Sequence, residues 1–380
     1  MKNLDMGDAV KILNSMPAER EIQVLVLWAD DSSPNLGVRA LGRGTEALVR
    51  RVWPRAEVTF QNYGHRSPHM PFGRLRSLVR EQISGRHGMQ KWLSGFDLVI
   101  DTRSGDSFSD IYGMKRHTIM SAVAACVVRA GVPVVLGPQT IGPFNTVRGR
   151  LLARGSLRGA RLVMARDAES LAEAEKLHRA RCVLATDVVF AIDVPRVDTT
   201  RDVVLNISGL LWNPNPHVDF QRYRNAVCKL HEVLTTQGRG ITLLAHVLDS
   251  GNADNDVPAI KEFVDLTGSM AEVCIPKGLD EVRSVVASAN VVIGSRMHAC
   301  LNALSVGTPA IPMAYSRKFE PLLRGMQWNH TVDLRDKTTD PVDAVLRHLA
   351  ATDLAAGVPA VQARAHESLL LAEESLRKLI

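Results

Sequence analysis

An arginine and a histidine stand two residues apart in the segment Gly294-Ser-Arg-Met-His298, after an apolar run near the C-terminal end of the chain. The run Asn290–Ile293 predicts a short strand, and Ser295 is predicted to cap the helix that follows it. This register puts Arg296 and His298 in the first helical turn, at the positive end of the helix dipole, where anions bind. We therefore predict that Arg296 and His298 both reach past the helix tip toward a common anionic ligand. The alternative is a surface arginine and a core-edge histidine without chemistry.

A second arginine has a similar context in Ala165-Arg-Asp-Ala-Glu-Ser170, where Arg166 stands at a helix start and Asp167 is the predicted N-cap. Two arginines at strand ends could bind a dianion, or a phosphate and a carboxylate together. Lys318, after a later strand, is predicted as a third contact to the same ligand. A surface ion pair of Arg166 with Asp167 or Glu169, and a solvated Lys318, are the open alternatives.

The segment Asp101–Asp110 contains three aspartates and three serines around one glycine, and it follows a strand. Such a polar cluster suits a substrate that is rich in hydroxyl groups. Asp106 is predicted as a general base toward a sugar hydroxyl, and Asp101 as a contact to the same acceptor. A helix-capping role for Asp106 or Asp110 is the alternative.

Three further residues are predicted to contact the acceptor. Asn35 lies in the glycine-containing segment Ser32–Thr45, which could approach a sugar or phosphate closely or be a plain connecting loop. The segment lacks the GxGxxG order, so a nicotinamide site is not predicted. Gln139 lies in the rigid turn Pro138–Phe144, and His246 follows another strand. No metal site is predicted, because Asp254 and Asp256 in the loop after His246 lack tight ligand spacing. No cofactor is predicted either.

Apolar runs rich in β-branched residues recur along the chain and alternate with amphipathic segments. This alternation is typical of parallel sheets that are covered by helices on both faces. The predicted strands are Ile22–Trp28, Leu98–Ile100, Val132–Leu136, Arg161–Met164, Val203–Ile207, Ile241–Leu244, Asn290–Ile293 and Ala310–Met313. The predicted helices include Leu41–Arg51, His117–Ala130, Phe220–Gln237 and Leu279–Ser288.

The predicted fold is α/β, with two Rossmann-like domains facing each other across a cleft. A polar, proline-containing stretch at residues 193–201 suggests the boundary between them. The expected division is 1–195 for the acceptor-side domain, 196–340 for the donor-side domain and 341–380 for C-terminal packing helices. Ligands of open α/β sheets bind beyond the carboxyl ends of the strands, where the candidate residues stand.

The composition restricts the class of protein further. The chain has 380 residues, 46% hydrophobic and 23% charged, with a formal net charge of +6. Its basic residues are dispersed and only 5% of residues are aromatic, so nucleic acid is not expected as a partner. Five scattered cysteines suit a reducing compartment. With no apolar signal core at the N-terminus and no long apolar window, we expect a cytoplasmic protein that could lie peripherally at the inner membrane face.

Several segments together resemble the polysaccharide pyruvyl transferase family. They are Gly137–Phe144, Ala165–Ser170, Thr186–Phe190, Asn206–Gly209, Gly294–His298 and Tyr315–Phe319, and they span most of the chain. The resemblance implies a GT-B-like pair of Rossmann-like domains, phosphoenolpyruvate as the donor co-substrate, and a saccharide or lipid-linked oligosaccharide as the acceptor that receives a pyruvate ketal. It implies donor-binding and acid/base roles for Arg166, Arg296 and His298.

This chain departs from the family at one place. Where many relatives have a run of glycines, it has Thr102-Arg-Ser-Gly-Asp106. Two other functions are compatible with the same fold, namely a glycosyltransferase that uses a nucleotide sugar and a non-catalytic protein that binds glycans or nucleotides.

Overall fold

The computed structural model describes residues 21–63, 70–85, 88–178, 181–248 and 254–380. The expected absence of an apolar signal core falls on the N-terminal residues 1–20, which lie outside the described residues. None of the described helices combines the length and the apolar character that crossing a membrane requires.

The chain forms two six-stranded sheets in succession, and every strand pair in both is parallel. The first domain carries β1 (Gln23–Leu27), β2 (Glu57–Gln61), β3 (Leu98–Asp101), β4 (Val134–Gln139), β5 (Leu162–Ala165) and β6 (Cys182–Leu184). The second carries β7 (Arg201–Asn206), β8 (Ile241–Leu244), β9 (Glu272–Cys274), β10 (Ala289–Gly294), β11 (Ala310–Ala314) and β12 (Val332–Asp333). The sheet orders are β2-β1-β3-β4-β5-β6 and β12-β11-β10-β7-β8-β9. The predicted α/β fold with two Rossmann-like domains is confirmed.

Helices cover both sheets. In the first domain they are α1 (Leu36–Val52), α2 (Leu75–Ser84), α3 (Met89–Leu93), α4 (Met114–Arg129), α5 (Val147–Gly159) and α6 (Ala168–Leu177). In the second they are α7 (Gly209–Trp212), α8 (Phe220–Thr236), α9 (Asp256–Thr267), α10 (Leu279–Ala287), α11 (Met297–Ser305) and α12 (Phe319–Gly325). At the C-terminal end follow α13 (Pro341–Leu349), α14 (Asp353–Ala356) and α15 (Val358–Arg377), and short 3₁₀ turns lie at Arg103–Gly105 and Val188–Ala191.

All eight predicted strands are present, with ends that differ by at most three residues. The four strands that the apolar pattern missed, β2, β6, β9 and β12, are the four sheet edges. An edge strand is covered less completely than a central one, so its sequence mixes polar and apolar residues and loses the continuous apolar signal.

Helix α1 begins at Leu36, five residues before the predicted helix start at Leu41, so most of the glycine-containing segment after β1 is helical and not a loop. Its glycines permit close packing. A Cβ on Gly42 would lie 3.3 Å from the backbone of Asp30, and one on Gly44 would lie 2.3 Å from the carbonyl oxygen of Val188. The glycines therefore bring α1 against its neighbours rather than opening a flexible phosphate-binding loop.

The last helix, α15, crosses from one domain to the other. Val361 near its beginning packs into the hydrophobic core of the second domain, whereas Leu369 and Leu376 pack into a core of the first. Helix α15 therefore contributes to the cores of both domains.

Each sheet has a point where the strand order reverses, between β1 and β3 in the first and between β7 and β10 in the second. Ligands of doubly wound sheets bind at such points. Asn35 and Asp106 follow β1 and β3, and Arg296 follows β10. The topology therefore brings the candidate residues of both domains to one cleft.

Candidate functional site

A cavity of about 240 Å³ lies between the carboxyl ends of the two sheets. Both domains line it, and seven of the nine predicted site residues are among the lining residues. These seven are Asn35, Asp106, Arg166, His246, Arg296, His298 and Lys318. The structure therefore brings together residues that are up to 283 positions apart in the sequence, between Asn35 and Lys318.

The tip of α11 forms part of the cavity wall. Arg296, with φ −91° and ψ 122°, is its N-cap residue, so the prediction that Ser295 caps the helix is wrong by one position. The Ser295 hydroxyl is buried and instead lies 2.9 Å from the hydroxyl of Tyr223. The backbone N–H groups of Met297 and His298 begin the helix, and no described acceptor bonds to them. They remain available to an anion in the cavity.

The Arg296 guanidinium is already occupied by two aspartates. Its Nη1 donates to Asp254 at 2.7 Å, and its Nη2 and Nε donate to Asp256 at 2.6 and 3.1 Å. Burial alone would lower the pKa of Arg296, but the two carboxylates outweigh it and raise that pKa. Asp256 also accepts the N–H groups of His246 and Val247. In this conformation Arg296 fastens the 254–256 segment to the helix tip, and its charge is largely balanced.

His298, Asp187 and Arg166 form a cluster across the domain boundary, in which Asp187 and Arg166 are buried and the His298 side chain is 18% exposed. The Asp187 carboxylate oxygen Oδ2 lies 3.4 Å from Nε2 of His298 and 3.2 Å from Nη1 of Arg166. Burial opposes ionisation of Asp187, but the charges of His298 and Arg166 outweigh it, and its pKa is lowered. Asp187 therefore holds a negative charge against the imidazole that was predicted to transfer a proton.

Two arginines retain donors for a ligand. Arg166 donates through Nε to the Thr140 hydroxyl at 2.8 Å, yet its buried Nη2 has no hydrogen-bond partner among the described residues. Arg116 stacks over the Tyr63 ring at 4.8 Å and donates to the Ser104 hydroxyl at 2.9 Å. No described carboxylate forms an ion pair with Arg116, and burial lowers its pKa. Arg116, without an ion pair, and Arg166, with one unpartnered amino group beside its pair with Asp187, can therefore both donate to a ligand in the cavity.

An ion pair closes the cavity between the domains. Lys318 contacts the Asp106 carboxylate, and the Tyr112 hydroxyl donates to the same carboxylate at 3.2 Å. Burial would lower the pKa of Lys318, but Asp106 outweighs it and raises that pKa. The pKa of Asp106 is lowered in turn, because the charge of Lys318 exceeds the effect of burial. Asp106 is therefore ionised and shared with Lys318 in the absence of ligand.

His246 and Asn35 also line the cavity. His246 is buried, and its Nε2 has no described partner. Burial, with the charges of His298 and Arg296, holds the pKa of His246 well below its ordinary value. It is thus a neutral imidazole suited to a hydrogen bond with a ligand. Asn35 caps α1, since its side chain accepts the N–H of Gly37 at 2.9 Å.

Asp101 and Gln139 do not line the cavity, and the geometry gives no support to their predicted contact with an acceptor. Both are fully buried. The Asp101 carboxylate pairs with Nε of Arg103 at 2.8 Å, and the Gln139 amide nitrogen lies 3.4 Å from the Asp101 carbonyl oxygen. An apolar interior makes this internal pairing necessary for a carboxylate at the end of a buried strand.

The turn after β3 has an unusual backbone. Arg103, Ser104 and Gly105 all have positive φ, at 46°, 52° and 82°. Glycine adopts such angles without steric cost, which gives a physical reason for a run of glycines there in relatives. Here the non-glycine residue Arg103 adopts such an angle, and its buried side chain forms hydrogen bonds that stabilise the turn. It donates to the Asp101 carboxylate and, at 3.0 Å, to the Ser156 hydroxyl. The turn places Ser104, Gly105 and Asp106 in the cavity wall.

Sequence reasoning missed several functional candidates. Asp187 was visible only within one segment of the family resemblance, and its neighbours Val188 and Val189 suggested a strand or core. Arg116 stands one residue before the predicted helix His117–Ala130 and within the observed α4, and a lone arginine there gives no signal. Asp254 was considered beside His246, but its pairing with Arg296 depends on how two loops meet. Among the described residues, no group of His, Cys, Asp or Glu is arranged to hold a metal ion.

A family model described as polysaccharide pyruvyl transferase matches residues 35–317 of this chain. The chain is also 22% identical over 247 residues to the amylovoran biosynthesis protein AmsJ of Erwinia amylovora. That match covers 60% of this chain and 58% of AmsJ, so the chain spans less than two thirds of that relative's length.

Solved structures show the same fold at low sequence identity. One is HepE of Anabaena in complex with UDP and glucose, with TM-score 0.60 and 13% identity over 94% of this chain and 99% of that chain. Another is the UDP-GlcNAc 2-epimerase of Neisseria meningitidis bound to UDP-GlcNAc, with TM-score 0.57 and 10% identity over 94% and 100% of the two chains. The GT-B-like arrangement that the sequence predicted is confirmed.

Proposed function

Since the chain belongs to the polysaccharide pyruvyl transferase family, we propose that it transfers the pyruvate unit of phosphoenolpyruvate to a saccharide as a ketal. The observation that carries the proposal is the cavity itself. Its wall combines Arg116, which has no ion pair among the described residues, and Arg166, whose Nη2 has no partner there, with the open N–H groups at the tip of α11. Phosphoenolpyruvate has two anionic groups, and such a wall offers donors to both.

The donor is held by the residues around His298. The proposed contacts are Nη2 of Arg166, the guanidinium of Arg116, the N–H groups of α11 and the ammonium group of Lys318. Arg296 acts mainly by holding the helix tip in place, because Asp254 and Asp256 occupy its guanidinium. This revises the direct donor contact that the sequence predicted for Arg296, and it makes Arg166 the principal arginine for the donor.

His298 supplies the proton in the proposed reaction. Its proton adds to the methylene carbon of phosphoenolpyruvate, which becomes a methyl group and leaves the neighbouring carbon electrophilic. One sugar hydroxyl bonds to that carbon and loses its proton. The bond between that carbon and the phosphate oxygen breaks and phosphate leaves. A second sugar hydroxyl then bonds to the same carbon and closes the ketal, and its proton passes to the departing phosphate. The cations stabilise the charge that develops on the departing phosphate.

The acceptor lies beside Asp106, His246 and Asn35 in this proposal. Asp106 is the general base for a sugar hydroxyl, although Lys318 shares its carboxylate before the donor binds. A phosphate that attracts Lys318 would release Asp106 for this task. His246, held neutral by burial, offers a hydrogen bond without adding charge. The acceptor is a saccharide or a lipid-linked oligosaccharide of a cell-surface polysaccharide, and the reaction takes place in the cytoplasm.

The test is an end-point assay with phosphoenolpyruvate and a panel of acceptor saccharides. Phosphate release together with an acceptor mass increased by one pyruvate ketal is the expected result, and Arg166→Ala and His298→Ala should abolish both. Titration calorimetry with phosphoenolpyruvate and with nucleotide sugars runs beside it. Binding and turnover of a nucleotide sugar alone would identify a glycosyltransferase. Tight binding of glycans with intact donors would identify a non-catalytic relative.

A further inference from the structure

One stretch of the chain is basic without any acidic residue. Residues 111–166 contain nine Lys and Arg and no Asp or Glu. The other 324 residues contain 46 − 9 = 37 Lys and Arg against 40 Asp and Glu, so they are slightly acidic as a whole. The net positive charge of the protein therefore originates in this stretch, which comprises α4, β4, α5 and β5.

Helix α5 presents apolar and basic side chains together on its outer side. Val147 and Leu151 are 67% and 60% exposed, and residues four apart lie on one face of a helix. The exposed arginines Arg148, Arg150, Arg154 and Arg158 surround them on the same outer half of the helix. Gly149, Ala153, Ser156 and Leu157 are buried against the domain on the other half.

The neighbouring helix α4 extends this surface. Val128 is 44% exposed, and a Cβ on Gly159 would lie 3.0 Å from its side chain, so the two helices meet here. A groove of about 360 Å³ lies between α4 and α5, and its lining is formed by Ala, Val, Leu, Gly, Ser and Thr residues without a charged one. A Cβ on Gly155 would meet nothing within 4 Å. The surface is thus apolar at its centre.

The arginines of α5 are not neutralised by the protein. Arg150 and Arg154 donate only to backbone carbonyl groups. Arg150 donates to those of Phe144 at 3.0 Å and Asn145 at 3.4 Å, and Arg154 donates to that of Leu177 at 3.1 Å. Within the described part of the chain, no carboxylate forms an ion pair with any of the four. Their charges are therefore free for phosphate groups outside the molecule.

We infer that the outer face of α4 and α5 docks on an anionic lipid membrane. Val147, Leu151 and Val128 enter the boundary between headgroups and acyl chains, and the arginines contact lipid phosphates. An apolar centre surrounded by cations is the pattern of interfacial helices. Single-stranded nucleic acid, the other polyanion to consider, is bound through aromatic stacking, and the exposed apolar residues of α5 are aliphatic. This inference is independent of the proposed function.

Flotation with vesicles tests the charge requirement. Full-length protein should float with vesicles of phosphatidylcholine and phosphatidylglycerol and should not float with phosphatidylcholine alone. Each removed charge weakens the partition about fivefold, so Arg148→Gln, Arg154→Gln and Arg158→Gln together should weaken it about a hundredfold. The matched control removes three exposed lysines of the second domain, Lys229→Gln, Lys261→Gln and Lys337→Gln. It should float like the wild type, and equal loss in both triple variants would overturn the inference.

A second variant separates a membrane from other polyanions. Val147→Ser with Leu151→Ser leaves every charge in place and should weaken flotation about tenfold or more, because the apolar side chains no longer enter the bilayer. Unchanged flotation of this variant would mean that the face binds polyanions by charge alone. Displacement of wild-type protein from vesicles by equimolar single-stranded RNA would point to nucleic acid and overturn the inference as well. Circular dichroism verifies that each variant is folded.

Discussion

The ammonium group of Lys318 in the second domain contacts the Asp106 carboxylate in the first domain. The same ammonium nitrogen lies over the Tyr112 ring, 5.0 Å from the ring centroid. This contact closes one side of the cavity and links the two domains without a covalent connection. An anion in the cavity would compete with Asp106 for the Lys318 ammonium group, so the partner of Lys318 depends on whether such an anion is bound. Arg317 adds a second link, donating to the Gly142 carbonyl at 3.0 Å.

Lys318→Met should weaken phosphoenolpyruvate binding about ten- to a hundredfold, since one charge-assisted contact is lost and Asp106 is left without its cation. Calorimetric titration measures this change in Kd. Lys337→Met is the matched control, because it removes an exposed lysine outside the cavity and should bind like the wild type. An unaltered Kd in Lys318→Met would remove Lys318 from the donor site.

Asp187→Asn should destabilise the protein at neutral pH by about 3–5 kcal/mol, because Arg166 and His298 lose their buried counter-charge. The folded pKa of Asp187 lies below its ordinary value of 3.8. Its stabilising contribution is thus complete above about pH 4 and is lost as the pH falls toward the folded pKa. The difference in Tm between wild type and variant should be largest near pH 7 and shrink below pH 4. A difference that is constant with pH would contradict this, and Asp265→Asn, at an exposed position, is the control.

The sequence predicted the fold well because buried parallel strands are continuously apolar. The apolar run before Arg296 is β10 and the residues after it begin α11, so the predicted order of strand, arginine and helix is also present. The four edge strands were missed because edges lack that apolar pattern. Asn35 was predicted to contact the ligand, but the helix after it was predicted to begin at Leu41 and begins at Leu36. The glycines that allow close packing of α1 resemble the glycines of a turn in sequence.

Pairing between side chains was harder to predict than position. Arg296 and Arg166 appear equivalent in sequence, each at a strand end beside a helix. Two aspartates reach Arg296, whereas one reaches Arg166 and leaves its Nη2 free. Which carboxylate meets which arginine depends on how the 254–256 segment and the turn at Asp187 lie in space, and no local pattern encodes that. The buried ion pair between Asp101 and Arg103 could not be predicted for the same reason.

Gly37→Ala should lower kcat because the added Cβ would lie 2.8 Å from Nδ1 of His298 and displace the ring. The neighbouring contact is a side chain that can shift, so the loss of folding stability should be small, on the order of 1 kcal/mol. Steady-state rates and thermal melting measured together distinguish the two effects. Gly155→Ala is the matched variant in α5, where the Cβ meets open space, and it should raise stability by about 0.5–1 kcal/mol with kcat unchanged. Unchanged kcat in Gly37→Ala would show that the His298 ring position is not critical.

His246 should make the protein sensitive to mild acid. Its folded pKa lies well below the ordinary value of 6.5, so below that pH the unfolded chain takes up a proton that the folded protein does not. Stability is therefore complete above about pH 6.5 and falls as the pH decreases, by up to about 1.4 kcal/mol per pH unit. His246→Gln removes this contribution. Melting from pH 7.5 to pH 5 should show a shallower decline in Tm for the variant, and parallel declines would mean that His246 titrates normally in the fold.

Arg103→Met tests whether the buried pair with Asp101 supports the left-handed turn at residues 103–105. The substitution leaves the Asp101 carboxylate uncompensated in a fully buried position and should cost about 3–5 kcal/mol of unfolding free energy. Asp101→Asn combined with Arg103→Met removes the charge as well, so the double variant should be more stable than Arg103→Met alone. Denaturant unfolding of both single variants and the double variant gives the coupling energy.

If the turn also depends on the pair, the double variant should recover stability without recovering donor binding, because Ser104 and Asp106 lose their place in the cavity wall. Calorimetric titration of the double variant with phosphoenolpyruvate measures this second effect. Recovery of both stability and binding would show that the turn holds its conformation without Arg103, through the bonds from the Ser104 hydroxyl to the Trp28 carbonyl at 3.0 Å and from Arg116 to that hydroxyl. The two outcomes distinguish a buried ion pair whose two charges only neutralise each other from one that also holds the turn in the cavity wall.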